Sequence, residues 1–342
     1  MESFEFGYII VSVKNENRRV LSRCITFHTY MLHIQIPLFT DSEDLHRIEP
    51  LHTRSDASNL SWDNVVPSEM PAYHHFAMGE ELGSGVSSIV YEAVHPVHGS
   101  CAVKVIDPLY YDAVAYELSF LVRVQSHRNF TRVYDAWDNG SNWFIAMELM
   151  DGTLLDLIDD QMSVEETYRA TKQIAAAIAW LHEQHIVHFD LKPENIGYVT
   201  NPDGSLTYKI LDLGGAEFTS VMATDQFKNG MATHQIVKTS TWYRSLETLR
   251  VDTEAITEKV DEWSLGCIVY EMLTTYPLFD GLDDCEDMDQ RMRVIKNGLE
   301  LVRRFCKHPP SGQEVLLTNV IMGCLDTNPV SRLKAEEIEA LL

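Results

Sequence analysis

Two short polar motifs, joined by a strand-like stretch, hold side chains suited to phosphate chemistry in a fixed order. They read His188-Phe189-Asp190-Leu191-Lys192-Pro193-Glu194-Asn195 and Lys209-Ile210-Leu211-Asp212-Leu213-Gly214. Phosphoryl transfer needs a carboxylate near the attacking hydroxyl, magnesium ligands and a cation near the moving phosphoryl group. The pattern predicts that Asp190 accepts the hydroxyl proton and that Lys192 stabilises the γ-phosphoryl group. Asn195 and Asp212 supply hard oxygen ligands, which suit Mg²⁺ rather than zinc or copper.

An ordinary polar loop between a helix and a strand is the alternative explanation of these residues. That explanation treats two separate motifs, both in the expected order, as a coincidence. We therefore prefer the interpretation in which the four side chains act together on a phosphate group.

A glycine-bearing turn lies upstream, between two predicted strands. Glycines let backbone N–H groups approach phosphate oxygens. A hairpin turn without a ligand explains the glycines equally well when they are taken alone, because Ser88 stands where a third glycine is usual. A dinucleotide-binding fold needs a helix that opens at the glycines, whereas residues 88–94 alternate like a strand. The predicted phosphate-covering residues are Leu82, Gly83, Ser84 and Gly85.

Lys104 is a lone cation at the end of an apolar strand that follows the glycine turn. A lysine in such a place is usually a solvated edge residue, but here it could reach the phosphates that the turn covers. Its charge then needs a partner, and the following helix offers Glu117, with Asp112 as a weaker competitor. An exposed helical acid is the alternative interpretation of Glu117. A Lys104–Glu117 pair would hold the ammonium group in place for phosphates.

The charge balance limits the partners of the chain. It has 27 basic and 51 acidic residues, a net charge of −24, so a nucleic acid would be repelled over most of the surface. Any bound anion must be held by a local device such as a glycine loop, a lysine or a metal ion. The 45% of hydrophobic and 23% of charged residues exclude disordered, collagen-like and coiled-coil proteins.

Cysteine spacing and hydropathy indicate the compartment. The 6 cysteines show no CxxC pair or zinc-binding spacing, which favours a reducing intracellular environment, cytoplasmic or nuclear. No apolar run reaches the ~18 residues that span a bilayer, and the first residues carry glutamates where a signal peptide needs positive charge. We expect neither membrane insertion nor export.

Three regions differ in pattern along the chain. Residues 1–72 form an extension of unknown role, which could add a strand layer to the small lobe, bind a partner or be a disordered N-terminal segment. Residues 73–150 alternate as strands, among them 88–94, 101–106 and 143–148, around one helix at about 113–124. Residues 151–342 show helical periodicity, clearest in 164–182. The pattern predicts a small sheet-rich lobe followed by a larger helical lobe.

Together these motifs resemble those of the eukaryotic-type serine/threonine protein kinases, over residues 73–342. The resemblance extends to Ser245-Leu246-Glu247, Asp261-Glu262-Trp263-Ser264-Leu265-Gly266 and Asn328-Pro329-Val330-Ser331-Arg332. It implies a bilobal α+β fold, with a small antiparallel sheet lobe holding one helix and a larger, mainly helical lobe. It also implies ATP and Mg²⁺ as cofactors and a protein substrate.

The resemblance also assigns residues that spacing alone does not. Met147 matches the gatekeeper position, and the backbone from Glu148 to Met150 matches the hinge that binds adenine. Val90 and Ala102 match the residues above the adenine ring. The resemblance further implies that Arg332 pairs with Glu247 and that Ser240 bridges the catalytic aspartate and lysine.

The sequence also departs from the family pattern. Phe189 replaces the arginine that usually precedes the catalytic aspartate, so the cation that reads a phosphorylated activation loop is missing. Asp-Leu-Gly and the segment Tyr243 to Glu247 are similar to SR-protein kinases, in the group that includes cyclin-dependent and MAP kinases, although Thr241 replaces a typical arginine. An acidic run, Asp280 to Asp289, is either a solvated loop or an attractor of basic substrates.

Two functions compete with that of an active protein kinase. One is a pseudokinase, which binds partners as a scaffold without catalysis, and the other is a small-molecule kinase.

Overall fold

Alternating apolar residues in the first half of the chain form one antiparallel sheet. The computed structural model describes residues 10–11, 23–24, 33–34, 76–85, 88–107, 111–139, 141–222, 224, 227, 241–250, 256–307 and 312–342. The sheet has the strand order β3-β7-β8-β6-β5-β4. Its strands are β3 (His33–Ile34), β4 (Ala77–Ser84), β5 (Ser88–His95), β6 (Gly99–Ile106), β7 (Val133–Asp138) and β8 (Trp143–Glu148).

Two short strands precede this sheet and one helix interrupts it. Strands β1 (Ile10–Val11) and β2 (Arg23–Cys24) pair with each other. Helix α1 (Tyr111–Val124) lies between β6 and β7 in the chain. The predicted strands 88–94, 101–106 and 143–148 and the predicted helix near 113–124 are confirmed, and one strand of the N-terminal extension, β3, pairs with β7.

The chain divides into two compact units. The first comprises residues 1–122 and 132–149, and the second comprises residues 123–131 and 150–342. The sequence placed 123–131 and Met150 in the small lobe. The structure groups 123–131 with the second unit because Asn129 and Thr131 bond to the backbone there, as in Ile210 N to Asn129 O at 2.8 Å and Thr131 N to Ile210 O at 3.2 Å.

The first unit has an apolar core on one face of its sheet. Cys101, Val103 and Val105 alternate inward along β6 and pack with Trp137 and Phe144. The indole of Trp137 stacks on Phe144 with ring centroids 5.1 Å apart. Because side chains alternate across a strand, the residues between these core positions face the other way. That opposite face carries the chemistry described below.

The second unit is mainly helical. Helix α3 forms because apolar residues recur at helical spacing, and Ser163 caps it by accepting a bond from Glu166 N at 3.1 Å. Its buried face includes Ile174, Ala175, Ile178 and Leu181. The helices are α2 (Leu154–Asp159), α3 (Val164–Glu183), α4 (Thr219–Met222), α5 (Leu246–Leu249), α6 (Lys259–Thr274), α7 (Met288–Phe305), α8 (Gln313–Cys324) and α9 (Ala335–Leu341).

Short strands in the second unit hold the two polar motifs. The motifs are joined by a hairpin whose register pairs Ile196 with Ile210. Short 3₁₀ helices occur at Pro193–Asn195 and Thr241–Tyr243. The strands are β9 (Gly152–Thr153), β10 (Ile186–Val187), β11 (Ile196–Thr200), β12 (Leu206–Ile210) and β13 (Glu217–Phe218).

The α+β class predicted from the sequence is confirmed by these elements. None of the helices in the described ranges is both long and apolar enough to cross a membrane. The predicted roles of Ser240 and of the Asp112 side chain lie outside the described residues.

Candidate active site

Four predicted nucleotide-binding residues share one face of the sheet in the first unit. The register pairs Val90 with Lys104 across β5 and β6, and Ala102 with Met147 across β6 and β8. Ala102 and Lys104 are two residues apart on one strand, so all four side chains project from the same side. This is the face opposite the apolar core. The strand alternation therefore brings together residues that the sequence placed by resemblance.

Lys104 and Glu117 form a buried ion pair within the first unit. Lys104 Nζ lies 2.8 Å from Glu117 Oε1, and the two residues are only 8% and 7% exposed. A buried charge is costly unless it is paired and hydrogen-bonded. Each residue therefore holds the other in one position, and neither is the exposed strand or helix residue of the alternative interpretations.

The glycine turn is the end of a β-hairpin. Gly83 pairs with Val90 across β4 and β5, and Gly85 N donates to Ser88 O at 2.8 Å. A Cβ atom at Gly83 would meet nothing within 4 Å, so neither packing nor a turn requires glycine there. Leu82, Gly83, Ser84 and Gly85 are all exposed residues, and the glycines lack side chains that would obstruct a ligand. Because a strand follows the turn, the dinucleotide-fold alternative is wrong.

The predicted hinge residues fall at the boundary of the two units. Glu148 ends β8 in the first unit, where its N–H donates to Arg132 O at 2.8 Å. Met150 belongs to the second unit. There its side chain covers Gly197, where an added Cβ would lie 2.5 Å from Met150 Cγ.

The first polar motif, residues 188–195, folds into a loop that places three predicted catalytic side chains together. We call this segment the catalytic loop. Asn195 Nδ2 donates to the Asp190 carbonyl oxygen at 2.8 Å and to Asp190 Oδ2 at 3.1 Å. Lys192 Nζ lies 3.6 Å from the same Oδ2. His188 supports the loop, because its Nδ1 accepts from Asp190 N at 3.2 Å. The aspartate is thereby fixed next to a cation.

Asp212 follows directly from the hairpin that begins at this loop. Leu211 N donates to Asn195 O at 2.9 Å, which holds the start of the second motif beside the first. Asp212 has a φ of +45°, in the left-handed region, and its Oδ1 accepts from Gly214 N at 3.1 Å. Left-handed backbone at a non-glycine residue is costly and is often retained for function.

The donor set near Asn195 and Asp212 fits magnesium. The amide nitrogen of Asn195 is used for Asp190, which orients the amide oxygen of Asn195 for another role. Among the described residues, no group of three or more His, Cys, Asp and Glu side chains could hold a metal alone. Mg²⁺ commonly takes one or two protein oxygens and completes its shell with water and substrate phosphates, so two protein ligands are sufficient.

A buried network that the sequence analysis did not identify holds the catalytic loop. The carboxylate of Asp261, on α6, accepts from His188 N at 2.8 Å and from Phe189 N at 2.9 Å. Phe189 has a φ of +66°, so these bonds hold a strained backbone just before Asp190. His182 Nε2 lies 2.9 Å from Asp261 Oδ2. No local sequence pattern indicated this contact, because Asp261 is 79 residues from His182 in the chain.

His182 makes stability depend on pH. Burial alone would lower its pKa, but hydrogen bonds and charge from Asp261 and Glu262 outweigh burial and raise the pKa to about 10. The unfolded chain has the ordinary value of 6.5, so the folded state binds this proton more tightly. The stabilisation is complete below pH 6.5 and is lost as the pH rises towards 10.

We expect His182→Gln to reduce the free energy of unfolding more at pH 6 than at pH 10. The reason is that only the protonated ring gives the charge-assisted bonds. Urea denaturation of both proteins at several pH values measures the difference. An equal loss at both ends of the range would contradict a protonated His182.

Phe189 joins an apolar cluster in place of the expected arginine. It packs against buried Val187, Met222, Phe227 and Val260. The rings of Phe189 and Phe227 lie 6.3 Å apart between centroids. Phe189 thus contacts the segment after Asp212 through apolar side chains, in addition to the backbone pairing of β10 with β13.

Arg332 and Glu247 form a bidentate buried pair, as the resemblance implies. The distances are 2.7 Å from Arg332 Nη1 to Glu247 Oε1 and 3.1 Å from Nη2 to Oε2. Arg332 also donates to the carbonyl oxygens of Lys259 and Asp326 and lies over the Trp263 ring. These contacts tie α5 to the start of α6.

Comparison with known proteins agrees with this geometry. The protein kinase domain family matches residues 76–340. Calcium-dependent protein kinase 5 of Plasmodium berghei is 30% identical over 264 residues, covering 75% of this chain and 43% of that protein. Mitogen-activated protein kinase MPS1 of Pyricularia oryzae is 28% identical over 253 residues, covering 70% and 59%.

A third relative, mitogen-activated protein kinase spm1 of Cytospora mali, is 28% identical over 232 residues, covering 64% of this chain and 53% of that protein. The chain thus spans about half the length of these curated relatives. They are not SR-protein kinases, and the placement near that branch stays a prediction. The chain belongs to the protein kinase domain family and has its α+β fold.

Proposed function

We propose that this chain transfers the γ-phosphoryl group of ATP to serine and threonine hydroxyls of protein substrates. Asp190 would accept the hydroxyl proton, and Lys192, 3.6 Å from it, would stabilise the transferred group. Asn195 and Asp212 would hold Mg²⁺, which neutralises charge on the phosphates when it is bound. Lys104, oriented by Glu117, would bind the α- and β-phosphates. The observation that carries the proposal is the Asp190, Lys192 and Asn195 cluster.

The nucleotide would contact the sheet face and the glycine turn of the first unit. Adenine would lie against Val90, Ala102 and Met147, and the backbone of Glu148 and Met150 would bond to its edge. The phosphates would lie under the end of β4 and the start of the turn, at Leu82, Gly83, Ser84 and Gly85. Serine and threonine are proposed as acceptors because Lys192-Pro193-Glu194-Asn195 resembles the serine/threonine class.

Peptides that differ only in the acceptor residue test this proposal. The purified chain is incubated with labelled ATP, Mg²⁺ and matched peptides carrying serine, threonine or tyrosine. We expect label on serine and threonine and none on tyrosine. Label on tyrosine alone would overturn the assigned class. Nucleotide binding without any label would favour the scaffold alternative.

We also propose a preference for basic substrates. Burial raises the pKa of Glu271 to about 7, the Tyr243 hydroxyl lowers it, and the charges of Glu194 and Asp159 raise it further. Glu271 is buried and partly neutral near pH 7, so the negative charge that a substrate would meet here is that of exposed Glu194 and Asp159. The acidic run adds Asp283, Asp284, Glu286 and Asp287, all exposed. The resulting negative potential would attract lysine and arginine side chains.

Neutralising Asp283, Asp284, Glu286 and Asp287 as amides should raise KM for a basic peptide about fivefold at low salt, and less at high salt. Asp287 caps α7 by accepting from Gln290 N at 2.8 Å, and asparagine preserves that cap. Neutralising exposed Glu336 and Glu339 on α9 is the control. An unchanged KM would count against the acidic run as an attractor.

Activity is expected not to depend on phosphorylation after Asp212. A phosphate group there would need a cation such as arginine at position 189, and Phe189 instead packs in an apolar cluster. Phosphatase treatment should therefore leave the rate within about twofold of its starting value. Mass spectrometry verifies that phosphate was removed. Loss of activity that returns on rephosphorylation would refute the expectation.

An intracellular location, cytoplasmic or nuclear, is part of the proposal. The described cysteines Cys101, Cys267, Cys285, Cys306 and Cys324 are free thiols, which suits a reducing compartment. We propose neither nucleic acid nor membrane as a partner, because the net charge of −24 opposes both. Fluorescence microscopy of the tagged chain tests the location.

A further inference from the structure

Helix α7 and the residues just after it concentrate positive charge in an acidic chain. Six of the 27 basic residues lie between positions 291 and 307, a stretch that holds one acidic residue, Glu300. The basic residues are Arg291, Arg293, Lys296, Arg303, Arg304 and Lys307. The remainder of the chain is therefore even more acidic than the net charge of −24 indicates.

The packing of α7 leaves most of these cations on one outward surface. Its inner side is buried through Ile295, Gly298, Leu299 and Val302. Gly298 lies so close to its neighbour that an added Cβ would be 2.6 Å from Phe279 Cε1. The exposed cations, named here the basic face, are Arg293, Lys296, Arg303, Arg304 and Lys307.

Contacts within the chain explain only part of this charge. Arg304 Nη2 lies 3.9 Å from Glu300 Oε2. In the part of the chain that the structure describes, no carboxylate lies within 4.0 Å of the charged groups of the other four cations. The helix dipole favours cations in the last turn, such as Arg303. It does not account for Arg293 and Lys296 in the middle of the helix.

Apolar side chains border the basic face. Leu301 and Phe305 are 51% and 40% exposed. Leu301 lies one helical turn from Arg304, so an apolar side chain and a positive group are neighbours on the surface. A partner that fits this surface carries carboxylates next to an apolar side chain.

We propose that the basic face of α7 docks an acidic segment of a protein partner. A nucleic acid duplex or a bilayer would also bring its charge near the rest of this strongly acidic chain and be repelled. A short acidic segment can contact the basic face while avoiding most of the acids of the chain, because acids more than about 8 Å away are screened at physiological salt. Within α7, the acids nearest to the face are Glu300 and Asp289. This inference does not depend on the proposed catalytic activity.

Fluorescence anisotropy with a short labelled peptide of Glu, Asp and Leu tests the docking site. We expect Arg293→Glu with Lys296→Glu to weaken binding about tenfold at low salt, and Leu301→Ser to weaken it as well. Reversing exposed Arg132 and Lys172 instead is the matched control, which should change the affinity less than about twofold. Circular dichroism verifies that each variant is folded.

Three results would overturn the proposal. The first is no binding of the peptide by the wild-type chain, or equal binding of a Gln/Asn/Leu analogue. The second is equal weakening by the α7 variant and the control variant, which indicates a diffuse charge effect. The third is that an RNA oligonucleotide or phosphatidylserine vesicles bind more tightly than the peptide, and that the same α7 variant loses this binding.

Discussion

Replacing Asp190 with asparagine is expected to lower kcat by about 10²–10⁴-fold, the usual contribution of a general base. The side chain keeps its shape and an oxygen that can accept from Asn195 Nδ2, which now bonds to Asp190 at 2.8 and 3.1 Å. What is lost is the negative charge that accepts the hydroxyl proton. Steady-state phosphorylation of one peptide by both proteins measures the effect.

Two controls separate catalysis from folding and binding. The affinity for ATP should stay close to that of the wild type, because the predicted adenine contacts lie elsewhere in the chain. Asp203→Asn changes an exposed turn carboxylate that bonds only within the turn, to Ser205 N and Oγ, and should leave kcat unchanged. A kcat for Asp190→Asn within a factor of about three of the wild type would contradict general-base catalysis.

Replacing Arg332 with methionine should lower the free energy of unfolding by about 3–5 kcal/mol, the cost of leaving one member of a buried pair alone. Glu247 is 4% exposed and would lose both its bonds to the guanidinium group. The carbonyl oxygens of Lys259 and Asp326 would lose a donor as well. Urea denaturation followed by circular dichroism measures the loss.

An exposed ion pair gives the matched control. Lys334 Nζ lies 3.6 Å from Glu336 Oε1, with side chains 54% and 67% exposed, so Lys334→Met should cost less than about 1 kcal/mol. Adding Glu247→Gln to Arg332→Met should recover part of the stability, because the lone buried charge is removed. Equal, small losses for Arg332→Met and Lys334→Met would refute a structural role for the pair.

Sequence patterns predicted the strands and helices whose formation depends on residues that are close together in the chain. Strand alternation gave β5, β6 and β8, and the helical spacing of apolar residues gave α3. The catalytic loop was also predictable, because Asp190, Lys192 and Asn195 are close in the chain. The Lys104–Glu117 pair was inferred from the need of a strand lysine for an acid, and it occurs at 2.8 Å.

Contacts between distant segments could not be read from the sequence alone. Asp261 is 79 residues from His182, with which it pairs, and Tyr243 donates to Glu271, on another element, at 2.7 Å. Each of these residues looks like an ordinary surface or core residue in its local pattern. Only the packing of α6 against the catalytic loop gives Asp261 its role of holding Phe189 in left-handed backbone.

Direct transfer of labelled phosphate tests the central claim most simply. The wild-type chain is incubated with γ-labelled ATP and a basic protein, with Mg²⁺ or with a chelator, beside the Asp190→Ala variant. We expect label on the protein only for the wild type with Mg²⁺. Equal label from both chains, or none from the wild type although it binds ATP, would contradict a protein kinase that uses Asp190.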